Sequence, residues 1–134
     1  MAAAEVKLPV VAGRRGRVLV VDDEELLLRA VKRILCPEHD VVAVVAARAA
    51  LALCAGSEKF DVIFCDLMMP DMTGMELHRE LSRVAPQHAN RMVFLTGGAF
   101  TAEAHRFLSE KPKEYIEKPC EPATLRATVL RYLR

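Results

Sequence analysis

Tryptophan is missing from this 134-residue chain, and the other aromatics amount to five Phe and two Tyr. That disfavours a β-sandwich built around aromatic anchors. The apolar residues, 52% of the chain and rich in Ala, Val and Leu, suit helices packed on aliphatic strands. An excess of charge of either sign is missing too. Nineteen Lys+Arg against eighteen Asp+Glu leave +1, so no global field drives binding to nucleic acid or to an anionic membrane. No apolar run approaches the roughly 18–20 residues that span a bilayer. Arg14, Arg15 and Arg17 do precede the apolar run Val18-Leu19-Val20-Val21, but it stops at Asp22-Asp23 and not at a small-residue cleavage site. A cytoplasmic protein is expected.

Soft metal ligands in metal-binding spacing are also lacking. Cys36, Cys54, Cys65 and Cys120 form no C-x-x-C pair, and no His stands at a zinc-like distance from them. Cys36 and Cys54 lie in Leu- and Ala-rich stretches and read as small buried hydrophobes. His39, His78, His88 and His105 are dispersed and are expected at the surface. The length suits one domain of roughly 100–200 residues.

What is present is an alternation. Residues 1–16 show no period and read as a leader or linker. From position 17 onward, short β-branched runs at 17–22, 40–45, 61–66, 91–96 and 114–118 alternate with helical patterns. These patterns cover 24–36, 46–56, a stretch ending near 84, 101–110 and 121–134. Pro37 stops the first helix, Gly56 closes the second, and the fourth ends before Pro112. Five strands alternating with five helices predict a parallel α/β sheet, and wholly apolar strands such as Val18–Val21 suit helical cover on both faces.

The polar exceptions collect at strand ends: Asp22 and Asp23 after the first strand, Asp66 after the third, Thr96 after the fourth and Lys118 after the fifth. The carboxyl ends of parallel strands converge on one edge of the sheet, where open α/β sheets bind ligands. Clustered carboxylates need a cation among them. A hard divalent ion such as Mg²⁺, helped by Lys118, would supply it. Carboxylates, Mg²⁺, an ammonium and a hydroxyl together suit a phosphoryl group, with one carboxylate able to act as the nucleophile.

Four segments in order carry a resemblance: Val20-Val21-Asp22-Asp23-Glu24, Asp66-Leu67-Met68-Met69-Pro70-Asp71-Met72-Thr73-Gly74, Phe94-Leu95-Thr96-Gly97 and Glu117-Lys118-Pro119. From residue 17 to 134 the chain resembles the receiver domain of two-component response regulators. The resemblance implies a flavodoxin-like doubly wound sheet of order 2-1-3-4-5. It also implies a phosphoacceptor switch, not a turnover enzyme. By position, Asp66 matches the phosphoacceptor, while Asp22, Asp23, Asp66 and the backbone carbonyl of Met68 match the Mg²⁺ ligands. Thr96 and Lys118 match the groups that bind the phosphoryl oxygens. Tyr115 matches the aromatic that follows the movement of Thr96, and Lys118-Pro119 matches a peptide often cis in the family. The implied partners are a histidine kinase or histidine phosphotransfer protein and a downstream protein. That downstream protein would dock around His105, Arg106 and Tyr115 on the fourth helix, fifth strand and fifth helix. Direct nucleic-acid or membrane contact is not implied, and a monomer or weak dimer is expected. Residues 2–16 resemble in composition the linkers that precede receivers in hybrid histidine kinases.

Plainer readings compete at single positions. Asp22 could cap the first helix, with Glu25 three residues on. A non-phosphorylated interaction module on the same fold is the main alternative, but it has no need of the full acidic set with Thr96 and Lys118. An aspartyl phosphatase would need a second acid where Met68 stands. Cys120 departs from the apolar or aromatic residue common after Lys-Pro, which predicts looser packing there. Neither Met68 nor Gly98, two residues beyond Asp66 and Thr96, offers a side chain to position water, so fast self-dephosphorylation is not expected.

Overall fold

The computed structural model describes residues 14–98, 101–110 and 113–134. Residues 1–13 of the expected leader and the expected stop at Pro112 lie outside them. Five strands, β1 (Arg17–Val21), β2 (Asp40–Val44), β3 (Val62–Asp66), β4 (Met92–Thr96) and β5 (Glu114–Glu117), form one parallel sheet of order β2-β1-β3-β4-β5. The predicted doubly wound order is the observed one.

Six helices accompany the strands among the described residues: α1 (Glu25–Leu35), α2 (Ala47–Ala55), α3 (Gly74–Val84), α4 (Pro86–Ala89), α5 (Ala102–Glu110) and α6 (Pro122–Tyr132). The sequence reading has five. The extra one, α4, is a single turn with Pro86 in its first turn, too short to show a hydrophobic period.

Alternation along the central strands divides the core in two. Val18, Val20, Val62, Phe64, Val93 and Leu95 pack with Leu28, Val31 and Leu35 of α1 and with Leu125 and Val129 of α6. Leu19, Val21, Ile63, Cys65, Met92 and Phe94 face the other way, onto α2, α3 and α5. Both faces of β1, β3 and β4 are therefore dry, as a parallel sheet requires. The sheet centre is costly to hollow out. Truncating the wholly buried Phe64 to Ala would remove about 3–5 kcal/mol. Edge strand β5 instead alternates half-buried and exposed positions.

Three sequence expectations need correction. His39 and His88 are buried, not superficial, and each takes a backbone N–H that the sheet leaves over. Gly16 N–H donates to His39 Nδ1 at 3.0 Å, and Phe60 N–H donates to His88 Nε2 at 3.1 Å. Imidazole is polar enough to satisfy a backbone donor and large enough to fill the gap, so a dispersed pattern hid two structural histidines. Arg14, Arg15 and Gly16, expected in a patternless leader, are tied to the domain. Arg14 pairs with Asp61, and Arg15 pairs with Asp40 and donates to the Pro37 carbonyl. Cys120 is half-buried against the α1/α6 core and not loosely placed, and burial pushes its thiol up. The four cysteines are all free thiols.

Candidate functional site

The strand ends converge as the spacing predicts. β1 stops at Val21 and β3 at Asp66, and the β1–β3 register pairs Val21 with Cys65, so Asp22, Asp23 and Asp66 meet at the same edge. One carboxylate oxygen from each lies within 4.8 Å of the other two. Asp22 and Asp66 are buried, at 0% and 7% exposure, while Asp23 is open to solvent.

Asp22 does not cap α1 with its side chain. The N-cap is Glu24, and Asp22 Oδ1 instead accepts the Glu24 N–H at 2.9 Å, two residues on. That short turn points the other oxygen, Oδ2, towards Lys118 Nζ at 3.0 Å.

Lys118 follows β5 directly, across a cis peptide bond from Pro119, and its N–H donates to the Thr96 carbonyl at 2.7 Å. Its ammonium also stands 3.4 Å from Glu24 Oε1 and 3.6 Å from Asp66 Oδ1. Burial alone would lower the Lys118 pKa. The close ion pair with Asp22, together with the charge of Asp66, outweighs it and holds the group above its ordinary value.

Asp66 is raised as well, but there burial drives the shift instead of opposing it. Burial first, and then repulsion from Asp22, raise its carboxyl to about 6, although Lys118 and the Met68 N–H both pull it down. One ammonium thus leaves a cluster of three carboxylates under-compensated. An all-oxygen, anionic donor set with excess charge fits a hard divalent cation such as Mg²⁺.

Thr96 ends β4 beside Asp66, since the register pairs Asp66 with Leu95. Thr96 is 3% exposed, and its buried hydroxyl has no hydrogen-bond partner among the described residues. A buried hydroxyl without a partner costs about 1–3 kcal/mol, so its retention at a strand end suits a ligand that completes it. Past Thr96, a β-carbon on Gly97 would meet nothing within 4 Å, while Gly98 has φ +90, where side chains are strained. The sequence-predicted Tyr115 is not at the carboxylate edge. It sits on β5 opposite Phe94, two register positions from the Thr96–Glu117 pair, and is 45% exposed.

The model of the response regulator receiver domain matches residues 18–130. The chain belongs to the response-regulator receiver family. Among relatives of this receiver domain is the transcriptional regulatory protein BtsR of Escherichia coli K12, 32% identical over 117 residues that make up 86% of this chain. The chain spans about half of BtsR, 47% of its length. Solved structures agree in fold. A CheY-like receiver domain protein from Methanospirillum hungatei is 30% identical with a TM-score of 0.76, covering 90% of this chain and 94% of that one. The chemotaxis protein CheY4 of Vibrio cholerae is 28% identical with a TM-score of 0.75, covering 90% and 100%.

The receiver domain also holds site features that the sequence reading passed over. Glu24 lies within the Val20–Glu24 motif, yet its contact with Lys118 joins residues 94 positions apart and has no local signal. Gly74 lets the start of α3 approach the backbone of Asp66. Thr73 and Glu76 form a reciprocal capping box that anchors α3 behind the loop, and the T-x-x-E spacing could have revealed it. Arg48 on α2 pairs with Asp71 at 2.6 Å in the same loop, where Asp71 has a positive φ of 72.

Proposed function

We propose that this receiver domain is a phosphorylation switch in which Asp66 accepts a phosphoryl group from a phosphohistidine. The observation that carries the reading is the Asp66 carboxylate, buried at the sheet edge between two further carboxylates, with Lys118 3.6 Å away. A carboxylate oxygen of Asp66 attacks phosphorus, and the P–N bond to the donor imidazole breaks. That nitrogen keeps the bonding pair and ends protonated.

Asp22, Asp23 and Asp66, with the Met68 backbone carbonyl, are the residues that would hold Mg²⁺, which supplies neutralisation of phosphoryl and carboxylate charge when bound. Lys118 pairs with one phosphoryl oxygen. The Thr96 hydroxyl, buried and unsatisfied, donates to another. Because these two bonds form only with the phosphoryl group present, phosphorylation favours the packing in which Thr96 has moved to it, and the region of Tyr115 follows.

The face that reads this change is α5, β5 and α6, where His105 and Arg106 are exposed and Tyr115 is nearly half-exposed. Residues 17–134 form the switching unit, and the linker that precedes it ends in Arg14, Arg15 and Gly16, which hold to the domain. The donor is a histidine kinase or histidine phosphotransfer protein, and the output belongs to a downstream protein partner met by a monomer or weak dimer. Direct contact with nucleic acid is not part of the switch. Among the described residues no helix is long and apolar enough to cross a membrane, which is compatible with a cytoplasmic setting. Met68 and Gly98 offer no side chain to orient an attacking water, so the aspartyl-phosphate outlasts seconds.

Incubation with acetyl phosphate and Mg²⁺ tests the reading by intact mass. The wild-type chain should gain one phosphoryl group and Asp66→Ala none. Equal labelling of both would refute the assignment.

A further inference from the structure

Among the described residues Lys118 has three carboxylate neighbours, and they are not equivalent. Asp22 and Asp66, at 3.0 and 3.6 Å, belong to the buried cluster that would hold a divalent cation. Glu24, at 3.4 Å, does not. Its side chain is 65% exposed, while its backbone is fixed to the cluster through the N–H bond to Asp22 Oδ1. Although Glu24 occupies the N-cap of α1, its side chain makes no capping hydrogen bond, so the helix does not need that carboxylate.

We propose that Glu24 is a positioning residue that acts through Lys118, giving the ammonium an anionic partner outside the cation-binding carboxylates. The inference rests on the phosphoacceptor reading above. A cation and Lys118 compete for Asp22 and Asp66 by like charge. Glu24 relieves that competition, because the lysine can withdraw to the rim without losing its ion pair. The same contact then opposes phosphoryl binding. Lys118 must leave Glu24 to reach a phosphoryl oxygen, and the rim carboxylate repels an incoming anion. One side chain therefore strengthens cation binding and weakens anion binding.

Exposed ion pairs shift equilibria by about two- to fivefold, which sets the expected scale. Calorimetric titrations with Mg²⁺, and with beryllofluoride at saturating Mg²⁺, test the proposal. In Glu24→Gln the Mg²⁺ Kd should rise by about two- to fivefold while the beryllofluoride Kd falls by a similar factor. The urea midpoint should not move. Opposite movements of the two affinities are not produced by a loosened fold. Glu24→Asp keeps the charge but is one methylene short of the lysine, so both affinities should shift in the directions seen in Glu24→Gln, by less for beryllofluoride because the rim charge remains. Wild-type behaviour of Glu24→Asp would assign the effect to charge alone and overturn the contact. Affinities that move together, or not at all, would overturn the role of Glu24. Failure of the wild-type chain itself to bind beryllofluoride would instead refute the phosphoacceptor reading.

Discussion

Gly74 lies so close to Asp66 that a β-carbon built on it would stand 2.2 Å from the Asp66 carbonyl oxygen and 3.1 Å from its carbonyl carbon. Both atoms are backbone at the end of a buried central strand and cannot step aside. The Gly74 N–H meanwhile donates to the Leu67 carbonyl at 2.9 Å, which ties the first turn of α3 to the residue after Asp66. Gly74→Ala should therefore destabilise the domain by about 1–3 kcal/mol through overpacking. It should also weaken Mg²⁺ binding, because the displaced atoms belong to Asp66. Urea unfolding and Mg²⁺ calorimetry check the two effects separately.

A second expectation concerns charge. The Asp66 carboxyl titrates at about 6 in the folded chain against an ordinary 3.8, so the fold prefers it protonated. A raised acid favours folding below 3.8 and loses that contribution as pH rises through about 6. At pH 7 the ionised group thus costs up to about 3 kcal/mol. Asp66→Asn should unfold at a higher temperature than wild type at pH 7 without Mg²⁺, and the advantage should vanish near pH 4. Saturating Mg²⁺ should narrow the gap at pH 7 by stabilising the wild-type chain. Thermal scans across pH, with and without Mg²⁺, read all three conditions.

The Thr96 hydroxyl sets stability against function in the same way. Thr96→Val replaces an unsatisfied buried hydroxyl by a methyl group of nearly the same shape, so the unliganded domain should be unchanged or gain about 1 kcal/mol. Beryllofluoride binding should weaken about tenfold or more, since a donor to the phosphoryl oxygens is lost. A Thr96→Val variant that bound the mimic as wild type does would remove Thr96 from the switch.

His39 and His88 predict a separate acid sensitivity at the opposite edge of the sheet. Burial is the first cause that lowers both from the ordinary 6.5, and each ring accepts a backbone N–H only when that nitrogen is unprotonated. A lowered histidine contributes stability above 6.5 and loses it as pH falls through its folded-state value. His39→Asn and His88→Gln place a carbonyl oxygen near the accepting nitrogen of each ring and cannot take up a proton. The double variant should show a flatter fall of unfolding free energy below pH 6.5 than wild type, measured by urea titration at each pH.

Much of this was written locally. The residues Val62–Cys65 are apolar at every position, which only a strand covered on both faces tolerates, and the strand-end acids stood out against that background. The helix α4 was not legible, because four residues carry no period. Nor were the buried histidines, because their acceptor role depends on backbone donors 23 and 28 positions away.

By itself, the sequence determined which chemistry is present and at which strand ends it falls, since periodicity, helix stops and the order of acids, hydroxyl and lysine are local properties of the chain. Composition bore out less than it first suggested: the scarcity of aromatics told of aliphatic layers but not that Phe64 and Phe94 would fill their centres. Only the tertiary structure decided that one lysine is shared among Asp22, Glu24 and Asp66, that Asp66 is raised to about 6, and that Thr96 is left unsatisfied. Those are consequences of distance and burial, which arise when segments far apart in the chain are packed against each other and shielded from water.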